Sequence, residues 1–272
     1  MFVAPSCTTC VIAAVNLRVS KKNWHLKRLK LHLLQHKTIP VFDPRKVPVV
    51  GTGEHLRAVH PTQLNPEALR QRFQNPPLWT PEVLREASFT EREPANAAVL
   101  IPLVMRDELM VLLTQRTQNM STHAGQIAFP GGKSDQADAD AIATALRESQ
   151  EEIGLDATFI EVIGALPNYI TGTHFIVSPI IALVKPGFEI QPNPIEVDHV
   201  FEVPLSFLMH PRNHMEHEMS WQGQQRRWFS MPYPKQSQDG KTLESKEEDD
   251  ATHFIWGATA GMLRNLYRFL IA

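Results

Sequence analysis

Cysteine is nearly absent from this chain: its 272 residues hold two, Cys7 and Cys10. A CTTC pair without a second pair at zinc-ligand spacing, and without a βαβ pattern beside it, makes neither a structural zinc site nor a thioredoxin-like redox centre. Nothing asks for an oxidising compartment, so a cytoplasmic location is expected. Long hydrophobic runs are also lacking, since no apolar stretch reaches the roughly 18 to 20 residues that a membrane-spanning helix needs. Nor is charge of one sign in excess. A formal net charge of −2 supplies no global field to draw a nucleic acid or a membrane. What remains is ordinary: 43% hydrophobic content builds a core, and 21% charged content suits a soluble globular protein.

Acid is missing from one place. Before Asp43 the chain carries Arg18, Lys21, Lys22, Lys27, Arg28, Lys30 and Lys37 but no Asp or Glu. Acid-poor basic N-termini include organellar transit peptides and membrane-surface helices. Nothing in this stretch connects with the motifs downstream. We therefore take residues 1–45 as a disordered extension, or as codons upstream of a true start near Val41.

Beyond it the organisation is legible. Residues 46–92 read as an N-terminal helical segment, with short helices over Asn65–Phe73 and Thr80–Ala87; the second opens with Thr-Pro-Glu, a cap followed by proline at the first helical position. Residues 93–272 read as the main domain. Strands are expected over Ala97–Met105, Leu109–Gln115, Phe159–Ala165, Phe175–Val184 and Val197–Val203, with a short helix from Leu205. Met215–Trp221 and Arg226–Phe229 suggest a hairpin across Gln222-Gly223-Gln224. Residues 235–251 are polar without apolar period and read as a mobile loop. Gly257–Ile271 closes the chain as an amphipathic helix. Strands interleaved with a few helices make the class α/β.

The densest signal is FPGGKSDQADADAIATALRESQEEIGL, residues 129–155. A double glycine leads into a helix carrying Arg147, Glu148, Glu151 and Glu152, and Gly154-Leu155 supplies a stop followed by an apolar contact. At about 100° per residue the three glutamates fall in one arc, while Ile142, Ala145, Leu146, Ser149 and Ile153 fall on another that can pack into a core. A Glu-rich helix is commonly a solvated face. Three crowded carboxylates nonetheless repel one another unless a cation sits among them, and oxygen-rich, acid-dense sites suit magnesium or manganese.

This segment resembles the Nudix box, a glycine, five residues, an acid, seven residues, then REUXEEXGU with U aliphatic. Gly132, Arg147, Glu148, Glu151, Glu152, Gly154 and Leu155 fit it. Asp138 stands where the box has glutamate, eight residues rather than seven separate it from Arg147, and Ser149 replaces the first aliphatic residue. Upstream, Leu112-Leu113-Thr114-Gln115-Arg116-Thr117, then Gly125 and Phe129-Pro130-Gly131-Gly132, resemble the extra motif of the coenzyme A pyrophosphatase branch of the Nudix hydrolases, LLTXRS followed by GXXXFPGG. The basic residues of that motif are replaced by Ser121, Thr122 and His123. Ile255–Gly261 also resembles the end of that branch.

The resemblance implies a Nudix fold, a mixed β-sheet between α-helices, with an N-terminal extension. It implies a metal-dependent diphosphatase in which Glu148, Glu151 and Glu152 hold Mg²⁺ or Mn²⁺, with Arg147 as a clamp on these acids. The base is left among Glu148, Glu151 and the loop acid Glu196. For a coenzyme A-like nucleotide, Arg116, the backbone of Gly131 and Gly132, and Tyr169 in the loop Asn168–Thr173 are the candidate contacts. The products would be adenosine 3′,5′-bisphosphate and 4′-phosphopantetheine. Two other readings stay open: a Nudix hydrolase of ADP-ribose, NADH or a capped RNA end, and a Nudix-fold binding protein without turnover.

Overall fold

A parallel pair of apolar strands organises the protein. The computed structural model describes residues 42–119, 123–221, 223–235 and 251–272; Cys7, Cys10, nearly all of the basic extension and most of the polar 235–251 stretch lie outside them. In chain order the elements are β1 (Val49–Thr52), α1 (Pro66–Gln74), β2 (Ala95–Met105), β3 (Leu109–Arg116), β4 (Ile127–Ala128), β5 (Gly131–Lys133), α2 (Ala141–Ile153), β6 (Ile160–Ala165), β7 (Tyr169–Ile170), β8 (Phe175–Val184), β9 (Val197–Pro204), α3 (Leu205–Leu208), β10 (Met215–Trp221), β11 (Gln224–Pro234), β12 (Thr252–Trp256) and α4 (Gly257–Ile271). β2 and β8 pair in parallel from Ala95↔Phe175 to Val104↔Val184. Both strands are buried on two faces, which is why their sequences run nearly continuously apolar.

Around this pair the sheet follows the order β4-β3-β2-β8-β6, with β5 added to β2, β7 to β8 and β9 to β3. Side chains alternate between two cores. Ala98, Leu100 and Val104 of β2 join Leu112, Ile180, Ala182 and Val184 beneath Ala145 and Ile153 of α2. Ala97, Ile101 and Leu103 face the larger core, shared with Phe229, Met231, Ile255 and the buried face of α4. That second side is closed by an antiparallel sheet of order β1-β10-β11-β12. Among the described residues, no helix is long and apolar enough to cross a membrane.

The expected helix over Thr80–Ala87 does not form; this stretch is irregular, with bends and one isolated bridge from Arg85 to Ile170. Its polar groups have tertiary partners that a helix would forfeit. The Glu82 carboxylate accepts from Arg264 and Arg268, Val83 exchanges bonds with the Asn265 amide, and Leu84 and Glu86 pair with the backbone of Ile170. A local cap signal loses to contacts made across the fold. The hairpin is longer than expected, because β11 continues to Pro234 to pair with β12.

His214 sits inside this packing, 1% exposed. Arg264 Nη1 lies 3.0 Å from its Nδ1, and Nε2 lies 2.6 Å from the Leu208 carbonyl. A guanidinium only donates, so Nδ1 holds the lone pair and Nε2 carries the proton. Burial, reinforced by the Arg264 charge, pushes this imidazole down to about 4 from 6.5. The fold thus holds the neutral ring: its contribution is complete above pH 6.5 and is lost as pH falls toward 4. Urea denaturation at pH 7 and pH 4.5 should show His214→Gln flattening the acid loss of stability by about 2 kcal/mol relative to wild type. Equal losses in both proteins would contradict a buried neutral ring.

Candidate active site

The helix α2 is defined at both ends by its own sequence. Asp140 caps the N-terminus by accepting from the Ala143 N–H at 2.8 Å. Gly154 ends it with φ 69°, a left-handed turn that glycine adopts without strain, and Leu155 returns into the core. Its core face differs from expectation: Ile142 is 38% exposed, and Thr144 and Glu152 are buried beside Ala145, Ser149 and Ile153. Ser149 stays buried because its hydroxyl donates to the Ala145 carbonyl at 2.7 Å. This satisfies a polar group at a position where an aliphatic residue needs no partner.

Helical geometry then ranks the three glutamates. Measured around the axis from the buried Ala145, Glu152 lies about 20° away, Glu148 about 60° and Glu151 about 120°. Their side-chain exposures rise in that order, 5%, 17% and 59%. The structure therefore does not bring all three to one point. Glu148 and Glu152 share an inner recess while Glu151 stands at its rim, and among the described residues no three His, Cys, Asp or Glu side chains form a ready metal cage.

Each carboxylate has its own support. Arg147 donates from Nε and Nη2 to the two oxygens of Asp138, both at 2.9 Å, and from Nη1 to Glu148 at 2.9 Å and Glu151 at 3.0 Å. Asp138 also accepts from the Asp135 N–H and the Thr144 hydroxyl. The longer loop thus still delivers an acid to the arginine, with Thr144 one turn before Arg147 completing the pocket. Bidentate contact with Arg147 holds the Asp138 carboxyl well below the usual range and raises the arginine in turn.

The two glycines serve the glutamates. β5 pairs Gly131 with Val99 and Gly132 with Ala98, laying this backbone against α2. Gly131 has φ 154° and donates its N–H to Glu152 Oε2 at 3.2 Å. A side chain on Gly132 would place Cβ 2.5 Å from the Glu148 carboxylate, so the missing atom is the space that this carboxylate occupies.

Burial raises Glu152 to about 7 and also raises Glu148, and in both the charge of Glu196 adds to the effect. Glu196, in the loop before β9, therefore lies near enough for its charge to act on both. Arg116 approaches from the end of β3, where the pairing with β9 shifts register between Gln115 and Arg116. Its Nη1 lies 3.6 Å from Glu152 Oε1, and its buried Nε has no partner.

Tyr169 lies elsewhere. It is 2% exposed, packs against Gly261 of α4 and donates its hydroxyl to Glu86 at 2.8 Å. An aromatic residue expected at the mouth of the site is thus a core residue with a satisfied hydroxyl. His123 does not reach the recess through any hydrogen bond among the described residues, its ring being paired with Gln126. In the sequence Thr117 stood out only as the end of the Leu112–Thr117 motif, without a role, and Asn193 not at all; both fasten the Glu196 loop through their backbone and side-chain groups. Asn193 belongs to none of the motifs quoted above.

A family model and relatives by sequence point to one family. A family model described as NUDIX domain matches residues 94–231. The chain is similar to Uncharacterized Nudix hydrolase NudL of Shigella flexneri, with 37% identity over 178 residues, 64% of this chain and 84% of that protein. It is 36% identical over 195 residues to Uncharacterized Nudix hydrolase NudL of Escherichia coli strain K12, covering 72% of this chain and 89% of the relative. Among solved structures, an Ap4A hydrolase binary complex from C. elegans aligns with a TM-score of 0.35 and 20% identity, over 41% of this chain and 80% of that one.

The Asp138–Arg147 pair makes an acid-dependent contribution. A carboxyl held below its ordinary value of 3.8 stabilises the fold above that pH and ceases to do so as pH falls below it. Asp138→Asn should therefore lower the melting temperature at neutral pH, with the gap from wild type narrowing below pH 3.8. A gap that stays constant down to pH 3 would contradict the pairing.

Proposed function

The chain belongs to the Nudix family, and from that premise we propose that this hydrolase cleaves the diphosphate of coenzyme A or its derivatives, giving adenosine 3′,5′-bisphosphate and 4′-phosphopantetheine. The observation that carries the reaction is the recess itself. Glu148, Glu152 and Glu196 sit within electrostatic reach of one another in a partly desolvated space, and Glu152 is 4% exposed.

The donor set fits a divalent cation: all oxygen, several negative charges, and too few facing cations to neutralise them. Glu148 and Glu152, with Glu151 at the rim, would hold Mg²⁺ or Mn²⁺. When bound, such an ion neutralises phosphate oxygens and makes water more acidic. The remaining roles fall to the chain. Arg147 keeps Glu148 and Glu151 from splaying apart, and Asp138 keeps Arg147 in place. Arg116 carries an unpartnered buried donor beside Glu152, which an anionic phosphate oxygen would satisfy.

Glu148 and Glu151 are engaged by Arg147, whereas the Glu196 carboxylate makes no hydrogen bond or ion pair among the described residues. We assign it as the general base. It takes a proton from water as the water oxygen bonds to phosphorus, and the bridging P–O bond breaks with its electrons leaving on the departing phosphate. The substrate class rests on the resemblance of Leu112–Thr117 and Phe129–Gly132 to the coenzyme A branch. A second reading, an ADP-ribose or NADH diphosphatase, draws on Ser121, Thr122 and His123 standing where that branch is basic.

Incubation with Mg²⁺ or Mn²⁺ and a panel of coenzyme A, acyl-coenzyme A, ADP-ribose and NADH, with products identified by mass, separates the readings. Coenzyme A or its thioesters should be cleaved fastest; ADP-ribose cleaved equally fast or faster would overturn the assignment. Glu152→Gln keeps the shape and removes the charge, so turnover on the best substrate should fall by at least about a hundredfold with the fold intact. Turnover within about threefold of wild type, a barrier change of roughly 0.7 kcal/mol, would remove Glu152 from the site.

A further inference from the structure

The loop from Gln191 to Glu196 brings the proposed base to the recess without regular structure of its own. Its first half is moored to the end of α2: the Gln191 N–H donates to the Ile153 carbonyl at 2.9 Å and the Asn193 N–H to the Glu152 carbonyl at 2.8 Å. Asn193 then holds the turn, its side chain accepting from the Ile195 N–H at 3.1 Å and its carbonyl from the N–H groups of Glu196 and Val197. The second half has no apolar anchor at Ile195, which is 75% exposed. Instead, Thr117, just beyond β3 and 9% exposed, grips two successive carbonyls. Its N–H donates to the Glu196 carbonyl at 3.0 Å and its hydroxyl to the Ile195 carbonyl at 2.9 Å.

This grip opposes a definite force. Glu196 lies within the field of Glu148 and Glu152, and like charges in a partly desolvated space push one another apart. A loop free to swing would yield. We propose that Thr117 is a positioning residue, its hydroxyl fixing the 195–196 backbone so that the Glu196 carboxylate stays turned into the recess. The inference rests on the reading of Glu196 as base. It adds a reason for a hydroxyl at the position after Arg116, since valine there would keep the volume and the N–H but release the Ile195 carbonyl.

Two measurements on the full chain test it. The first is amide exchange over residues 192–197. Thr117→Val should raise exchange there about tenfold with little change in melting temperature, and Thr117→Ser should restore wild-type protection. The second is steady-state kinetics on the best diphosphate of the panel. Thr117→Val should lower kcat about tenfold with KM within about twofold, and Thr117→Ser should recover it. Combining Thr117→Val with Glu196→Gln should be no slower than Glu196→Gln alone by more than about twofold, because both act through one carboxylate.

Wild-type exchange and kcat in Thr117→Val would overturn the proposal, as would full additivity with Glu196→Gln. If wild type cleaves no diphosphate, the functional reading falls and the exchange arm still decides the tether. Raised exchange rescued by serine then upholds it, and unchanged exchange overturns it.

Discussion

Repulsion among carboxylates is the constraint that the rest of the site answers. Glu148 and Glu152 share one recess with the charge of Glu196 acting on both, and burial pushes Glu152 up to about 7 because a desolvated space tolerates charge poorly. Left alone, such a cluster would splay apart or take up protons. Several features oppose it: Arg147 bridging Glu148 and Glu151, Asp138 securing Arg147, the Gly131 N–H on Glu152, and Arg116 beside the same carboxylate. None cancels the charge. Under the proposed function, the residual negative potential is what a divalent cation would neutralise.

The fold supplies the positions. Pairing of β5 with β2 sets the glycine backbone under α2, while the packing of Ala145 and Ile153 on Ala98 and Leu100 fixes the helix rotation. A helix turned by one residue, about 100°, would expose Glu152 and bury a different side chain. β3 brings Arg116 and Thr117 from the neighbouring position, and its shifted pairing with β9 lets one strand end serve both the recess and the Glu196 loop. Precision at the site is therefore a consequence of core packing several residues away.

Much of this was legible in the sequence. Strand β8 and helix α4 fall where their apolar patterns put them, Phe175–Val184 and Gly257–Ile271, because each is long enough for its period to show. The box glutamates were legible because their spacing is chemical as well as structural. Short strands were not: β1, β5 and β12 exist only through their partners. Thr80–Ala87 carries a helix cap, yet Glu82 and Val83 find their side-chain partners 182 residues along the chain and Leu84 and Glu86 pair with Ile170, all beyond any local signal. Tyr169 was misplaced for a related reason, since an aromatic residue in a loop looks the same whether it faces the core or the solvent. Helical periodicity grouped the glutamates; only the packing of α2 separated the buried Glu152 from the exposed Glu151.

On the proposed function, the acidic recess holds a divalent cation through Glu148 and Glu152. Calorimetric titration of the full chain with Mn²⁺, without substrate, tests this cation site most directly. Wild type should bind the ion, and Glu148→Gln or Glu152→Gln should each weaken binding by at least about tenfold, roughly 1.4 kcal/mol, at unchanged melting temperature. Mn²⁺ affinity equal to wild type in both variants would contradict the claim.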